Sequence, residues 1–333
     1  MLARSCTPLR KRLVQELKVC RIVDEYPARE EILGGLGPNW YYYSKLSVER
    51  GIEVHIICRR VSGQAETEEV DGVFINRVSA VGGHRSTIYG DFAQKSLAKL
   101  REIRPDIIHG HNAYHIAAAM NKDKLGIPLI THLHGSVDLD LYTDKLPFRF
   151  DFERALRDRL VYGWSFLRNR YVTGCADFVI ACDQYTERSV KRYFKEKNTK
   201  VVYNGVDPDY FRPMKSDIKE NLGAEKLILF VGRPEPRKGV QYILEGMNEL
   251  NTRFDDLKCL LLGVKNEGYY NVYYRWFKSI ADRLNVKNVI FSPPAPYFEL
   301  PKYYSAADCF ICPSYPDPSP KVIYEAQSCS CPI

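Results

Sequence analysis

No stretch of the 333-residue chain stays apolar for the roughly 20 residues that a bilayer-spanning helix needs, which excludes a membrane-embedded helical bundle. Internal repeats and low-complexity tracts are also missing, which excludes solenoid and fibrous architectures. The first residues carry Arg4, Arg10, Lys11 and Arg12 but lack the continuous apolar core of a secretory signal. Residues 1–17 therefore read as a leader outside the fold, and the chain is expected on the cytoplasmic side. A disulfide framework is not indicated either. The ten cysteines are scattered, and Cys58, Cys182 and Cys259 lie inside apolar strand-like runs, the pattern of buried reduced thiols.

What is present is an ordinary globular balance, 45% hydrophobic and 27% charged, over a length that favours two hydrophobic cores. The formal net charge of +7 favours anionic partners such as nucleotides, phospholipid surfaces or nucleic acid. Excess surface lysine kept for solubility accounts for it equally well. No nucleic-acid-binding motif accompanies the charge, and no nucleic-acid partner is expected.

Short apolar runs at 17–23, 53–58, 107–110, 129–133, 178–182, 200–203, 227–231, 258–262, 288–291 and 308–312 alternate with segments of helical period. Leu36, Trp40 and Tyr43, closed by Gly51, form one such segment; Val240, Ile243, Leu244 and Met247 form another. Near-continuous apolar strands alternating with helices predict α/β layers with parallel sheets covered on both faces. There are strands enough for two sheets. The turn-rich stretch around 196–213 marks the boundary, giving domains at 18–198 and 199–333.

Open parallel sheets bind ligands beyond the carboxyl ends of their strands. After the first run come Gly34, Gly35 and Gly37 at a helix start, which suits an anion but serves equally as a flexible turn. After the run 227–231 come Gly232, Arg233, Arg237, Lys238 and Gly239, followed by a helix. Arginine grips phosphate oxygens with paired hydrogen bonds, and lysine adds a point charge. Near the end, Ser319 is a candidate N-cap and Pro320 a candidate first helical residue. Asp317 lies ahead of that helix and Glu325 within it. Carboxylates near phosphates are repelled, so these two are expected to accept from neutral hydroxyls.

These segments together resemble the retaining GT-B glycosyltransferases of family 4. The resemblance runs from about Lys18 to the last residue. It is carried by Gly34–Gly37, by His109-Gly110-His111 and by Thr131-His132-Leu133-His134-Gly135. It continues through Asn204-Gly205-Val206-Asp207 with Phe211-Arg212-Pro213, Phe230-Val231-Gly232-Arg233 with Lys238-Gly239, Ala306-Ala307-Asp308 with Pro313-Ser314, and the acids Asp317 and Glu325. The resemblance implies two Rossmann-like, doubly wound parallel-sheet domains facing a cleft, the second incomplete. It implies transfer of a sugar from a nucleotide-diphosphate sugar to a glycan, lipid-linked or small-molecule acceptor, with retention and without a metal or other cofactor. Arg233 and Lys238 would neutralise the diphosphate, Glu325 would bind the ribose and Asp317 the sugar. His134, beside Gly135, would face the reacting carbon. The segment with Ala295 and Tyr297 would border the base through its backbone.

In the family the first acid is Glu, so Asp317 is shorter by one C–C bond, and Ser330 stands where glycine is usual. The family also continues beyond the position of Ile333, so a truncated and inactive remnant is a rival reading. A basic nucleotide- or nucleic-acid-binding protein is another, and a sugar-nucleotide epimerase on the same fold a third.

Two metal readings compete with structural ones. Cys309-x2-Cys312 and Cys329-x-Cys331 copy paired zinc ligands only superficially, since i and i+3 of a strand face opposite ways. His109, His111, His132 and His134 are expected on separate strand ends without an acid cluster, which favours structural roles for all but His134. The arginine- and aromatic-rich stretch 144–171 suits either an anionic membrane surface or packing on its own domain.

Overall fold

The computed structural model describes residues 17–24, 26, 37–80, 90–138, 150–264, 266, 271–315 and 317–333. They divide into two compact units, 17–138 with 165–203 and 150–164 with 204–333.

The first unit is built on an eight-stranded sheet of order β3-β4-β2-β1-β5-β6-β7-β8. The strands are β1 (Lys18–Ile22), β2 (Glu53–Arg59), β3 (Thr67–Val70), β4 (Val73–Val78), β5 (Ile107–His111), β6 (Leu129–Leu133), β7 (Phe178–Ala181) and β8 (Thr199–Val201). All pairings are parallel except β3 with β4, a hairpin at one edge. The central strands are buried on both faces, as β2 shows with Val54, Ile56, Ile57 and Cys58 all inaccessible. Helices α1 (Gly37–Val48), α2 (Asp91–Ile103), α3 (Ile116–Met120) and α4 (Lys122–Leu125) connect the strands up to β6. The long helix α5 (Phe152–Cys175) and then α6 (Gln184–Tyr193) follow. Asp183 caps α6 by accepting from the Thr186 N–H at 2.7 Å.

The second unit carries a four-stranded parallel sheet of order β11-β10-β9-β12. Its strands are β9 (Lys226–Val231), β10 (Leu257–Leu262), β11 (Val289–Ser292) and β12 (Cys309–Phe310). Its helices, besides the first half of α5, are α7 (Ile218–Asn221), α8 (Val240–Leu250), α9 (Asn271–Arg283), α10 (Leu300–Ala306) and α11 (Lys321–Ser328). Val240, Ile243, Leu244 and Met247 of α8 are all buried in its core, the face that their spacing predicts.

All ten expected strands are present, with ends shifted by no more than two residues. Three expectations differ from the structure. The hairpin β3–β4 was not anticipated; it turns on Asp71 and Gly72, both at positive φ. The expected boundary between 198 and 199 cuts off β8, which pairs with β7 in the first sheet, so the change of unit falls after Tyr203. Residues 150–164 group with the second unit, not the first: Asp158 on α5 accepts from Tyr273 Oη and is paired with Arg154 at 3.0 Å.

Candidate functional site

The basic turn leaves the carboxyl end of β9 at Gly232. It passes through a short 3-10 turn, Pro236–Lys238, and enters α8 at Gly239. The sequence dictates this path. Pro234 and Pro236 block a longer helix, and Gly239 takes φ +76, a region that favours glycine. Tyr315 N–H donates to the Arg237 carbonyl at 2.9 Å, tying the turn to the segment after β12.

Three cations and two carboxylates meet in this turn. Arg233 is the exposed member, its side chain 58% accessible and 3.1 Å from Glu235. Arg237 lies 2.7 Å from Glu235 and 3.5 Å from Asp317, and Lys238 lies 2.5 Å from Asp317. Burial works against the charge of Arg237, but the Glu235 and Asp317 carboxylates outweigh it and raise its pKa. Burial likewise opposes the Glu235 charge, and the neighbouring arginines hold its pKa below the ordinary value. The turn is thus a preassembled cationic cradle whose charge is offset by its own carboxylates.

Asp317, expected to accept from neutral hydroxyls, is paired with two of the cations. Ser319 departs from expectation as well. It sits at φ +46, and α11 begins at Lys321 behind Pro320 without a side-chain cap. The Ser319 hydroxyl instead accepts from the Asn204 N–H at 3.1 Å, and its carbonyl accepts from Asn204 Nδ2 at 2.8 Å. The family-like Asn204 segment is therefore an anchor for the loop ahead of α11.

Glu325 is 3% exposed and both its oxygens are engaged, one by Tyr304 Oη at 2.9 Å and the other by Tyr297 Oη at 3.4 Å. Burial raises its pKa, opposed by Lys321. Burial lowers Lys321 to about 8, with Glu325 pulling the other way, and the ammonium lies 5.6 Å from the Tyr297 ring centroid. The expected ribose ligand thus lies inside a buried tyrosine–carboxylate cluster. Tyr297 is itself buried, and Ala295 just before it is half-buried.

In the first unit, β1, β5 and β6 lie side by side, with Arg21 paired to His109 and His111 paired to His132. The two histidine pairs lie at the ends of two separate strands, as expected, but β5 and β6 are neighbours, so the four rings form one stack. Ring centroids are 4.6 Å apart for His109 and His111, 5.2 Å for His111 and His132, and 4.3 Å for His132 and His134. The His134 N–H donates to Asn112 Oδ1 at 3.0 Å, and His134 Nε2 lies 2.8 Å from His111 Nδ1. Helix α1 covers the stack. Arg21 donates to Ser44 Oγ at 2.7 Å and Ser47 Oγ at 2.9 Å, and Tyr43 stacks on His132 at 5.7 Å. Burial, then the Arg21 charge and neighbouring imidazoles, holds His109 well below its ordinary pKa. Burial and the adjacent imidazoles do the same to His111 and His132. Gly110 is needed here, since a Cβ would sit 1.9 Å from the His115 ring.

Nitrogen atoms of His109, His111 and His132 lie within 4.8 Å of one another. The rings of His109 and His132 are only 5° from parallel, so their lone pairs lie in parallel planes instead of converging on one point. Arg21 Nε donates to His109 Nδ1 at 3.4 Å, occupying that lone pair and placing a cation where it repels a metal ion. The geometry fits stacked neutral imidazoles better than a ligand set. Among the described residues the cysteines form no such group, and those described are free thiols.

Of the expected site residues, Gly232, Arg233, Lys238 and Asp317 gather at one turn, Glu325 and Tyr297 form a second cluster, and Gly135 follows His134 at the end of the stack. Gly37 opens α1; Gly34 and Gly35 lie outside the described residues. Arg237 is expected in the basic turn without a role of its own, and Arg21 is not among the expected site residues. Their signals were a third cation in the basic turn and one arginine inside an apolar strand.

The profile of Glycosyltransferase Family 4 matches residues 33–210, and that of Glycosyl transferases group 1 matches residues 213–333. A D-inositol 3-phosphate glycosyltransferase of Segniliparus rotundus is 27% identical over 321 residues, covering 90% of this chain and 68% of that protein. The solved sucrose-phosphate synthase of Thermosynechococcus elongatus superposes with a TM-score of 0.77 at 19% identity, covering 95% of this chain and 80% of that one. An Anabaena protein solved in complex with UDP and glucose superposes with a TM-score of 0.66 at 18% identity, covering 95% and 79%. The two sheets, the order of the motifs and the profile spanning more than half of the sequence lead to one conclusion: this chain belongs to glycosyltransferase family 4, has the GT-B type of α/β fold, and is an enzyme that transfers sugar from a nucleotide sugar.

Proposed function

We propose that the turn between β9 and α8 holds the diphosphate of the donor through Arg233 and Lys238, with Arg237 behind them. The observation that carries this reading is the gathering of three cations at the carboxyl end of a parallel strand and the start of a helix, where such sheets deliver their ligands. Positive charge at the leaving group stabilises it as the bond from the anomeric carbon to the phosphate oxygen breaks. The acceptor oxygen attacks the same face, so configuration is retained, and its proton passes to the departing phosphate. Fixed cations supply the charge in this scheme, so no metal is invoked.

His134, with Gly135 beside it, serves the transferred sugar, and the donor contacts expected of Gly34, Gly35 and Gly37 belong to the same reading. Glu325 takes the ribose once its carboxylate leaves Tyr297 and Tyr304, and the backbone at Ala295 and Tyr297 borders the base. A UDP-bound structural neighbour supports a nucleotide-sugar donor. Stabilisation of the chain by at least one nucleoside diphosphate in a thermal-shift panel, lost in Arg233→Ala and Lys238→Ala, is the expected result. Stabilisation that survives both changes would show that the site is misplaced.

The acceptor is a glycan, a lipid-linked sugar or a small molecule. A lipid-linked acceptor agrees with the exposed face of α5, where Leu156, Leu160 and Leu167 stand among exposed Arg157 and Arg170. No helix among the described residues is long and apolar enough to cross a membrane. The proposed contact, through 150–171 of the expected 144–171, is peripheral and at the cytoplasmic face. Binding to anionic but not neutral liposomes, weakened by Arg157→Glu with Arg170→Glu, is expected; failure to bind anionic liposomes refutes it.

A further inference from the structure

The carboxylate of Asp317 occupies the position on Lys238 that an anionic ligand needs. It lies 2.5 Å from Lys238 Nζ and 3.5 Å from Arg237 Nη1, and its side chain is 13% accessible. The pair is not a flexible surface contact, since the Lys238 and Arg237 side chains are only 17% and 18% accessible. Glu235 meanwhile engages Arg233 and Arg237 from the other side of the turn. The cradle therefore holds three cations against two carboxylates, and its lysine is already paired.

We propose that Asp317 is the resident counter-anion of this phosphate site and sets its preference for a diphosphate over simpler anions. The inference rests on the assignment of phosphates to the β9–α8 turn. A single-centred anion arriving at Lys238 replaces one close ion pair with another and gains little. A diphosphate carries several charges on two linked centres, so it engages Lys238, Arg237 and the exposed Arg233 together, which compensates for expelling the carboxylate. Asp317, once displaced, accepts from a sugar hydroxyl, the role expected of it from the sequence. The shorter side chain of aspartate suits the resting position, close against the lysine.

The test is calorimetric titration of the full chain with inorganic pyrophosphate and, separately, with orthophosphate. Asp317→Asn removes the charge and keeps the shape. It is expected to tighten binding of both anions by about tenfold or more, the effect of deleting a close competing like charge, and to narrow the gap between them by favouring orthophosphate most. Asp317→Ser provides the same measurement should Asn disturb the turn. Lys238→Met is expected to weaken pyrophosphate by at least about tenfold. Unchanged or weaker pyrophosphate binding in both Asp317 variants, with the loss in Lys238→Met intact, would overturn the counter-anion role and leave the phosphate site standing. Pyrophosphate binding indifferent to Lys238→Met would remove both.

Discussion

Gly239 shows how one residue fixes the cationic turn. Its φ of +76 costs an L side chain energy, and a Cβ would lie 2.4 Å from the Pro313 carbonyl oxygen. Gly239→Ala is expected to destabilise the second unit by more than about 1 kcal/mol and to weaken diphosphate binding, because Lys238 is the preceding residue. Denaturant unfolding and a diphosphate titration check both, and an unchanged midpoint with unchanged affinity would contradict the role. At this scale the sequence reveals residue types better than partners. The cations of the turn were legible from Arg233, Arg237 and Lys238 following an apolar strand. That Asp317 closes onto Lys238, and that Ser319 turns its hydroxyl to Asn204, was not. Both depend on contacts between residues 79 and 115 positions apart, which no local pattern encodes.

At the scale of elements, the histidine stack joins β1, β5 and β6 to α1 through polar groups. Burial holds His109, His111 and His132 neutral, with folded pKa values well below the ordinary 6.5, and His115 is lowered to about 3. The sign follows from linkage. A folded-state pKa depressed below the unfolded one gives stability that is complete above about 6.5 and is lost as pH falls toward the folded value. At pH 5 His115 alone, lowered to about 3, costs about 2 kcal/mol relative to neutral pH. The melting temperature is therefore expected to drop steeply between pH 7 and pH 5, with a shallower drop in His115→Asn; a flat profile would contradict burial of the stack. The spacing of His109 with His111 and of His132 with His134 put each pair on one strand face. Their meeting required the parallel register of β5 and β6, which sequence alone does not fix. The hairpin β3–β4 has a turn signal but no apolar strand pattern in β3. Asp71-Gly72 between Val70 and Val73 is a two-residue turn signal, obscured because Glu68 and Glu69 make β3 polar.

For the whole molecule, alternation of apolar strands and helices gave both parallel sheets, because strands buried on two faces announce themselves by composition. The assignment of residues 150–164 to the second unit was not legible, since an amphipathic helix does not state which core receives it. Sugar, base and acceptor are set by pocket shape and a few polar contacts, which motifs do not encode. The central claim is that cations at the end of β9 hold the donor diphosphate. A crystal structure of the chain with a bound nucleoside diphosphate tests it most directly. The account places phosphate oxygens within hydrogen-bonding distance of Arg233 and Lys238, with the Asp317 carboxylate moved off the lysine. A diphosphate bound elsewhere, with the Lys238–Asp317 pair unbroken, would contradict it.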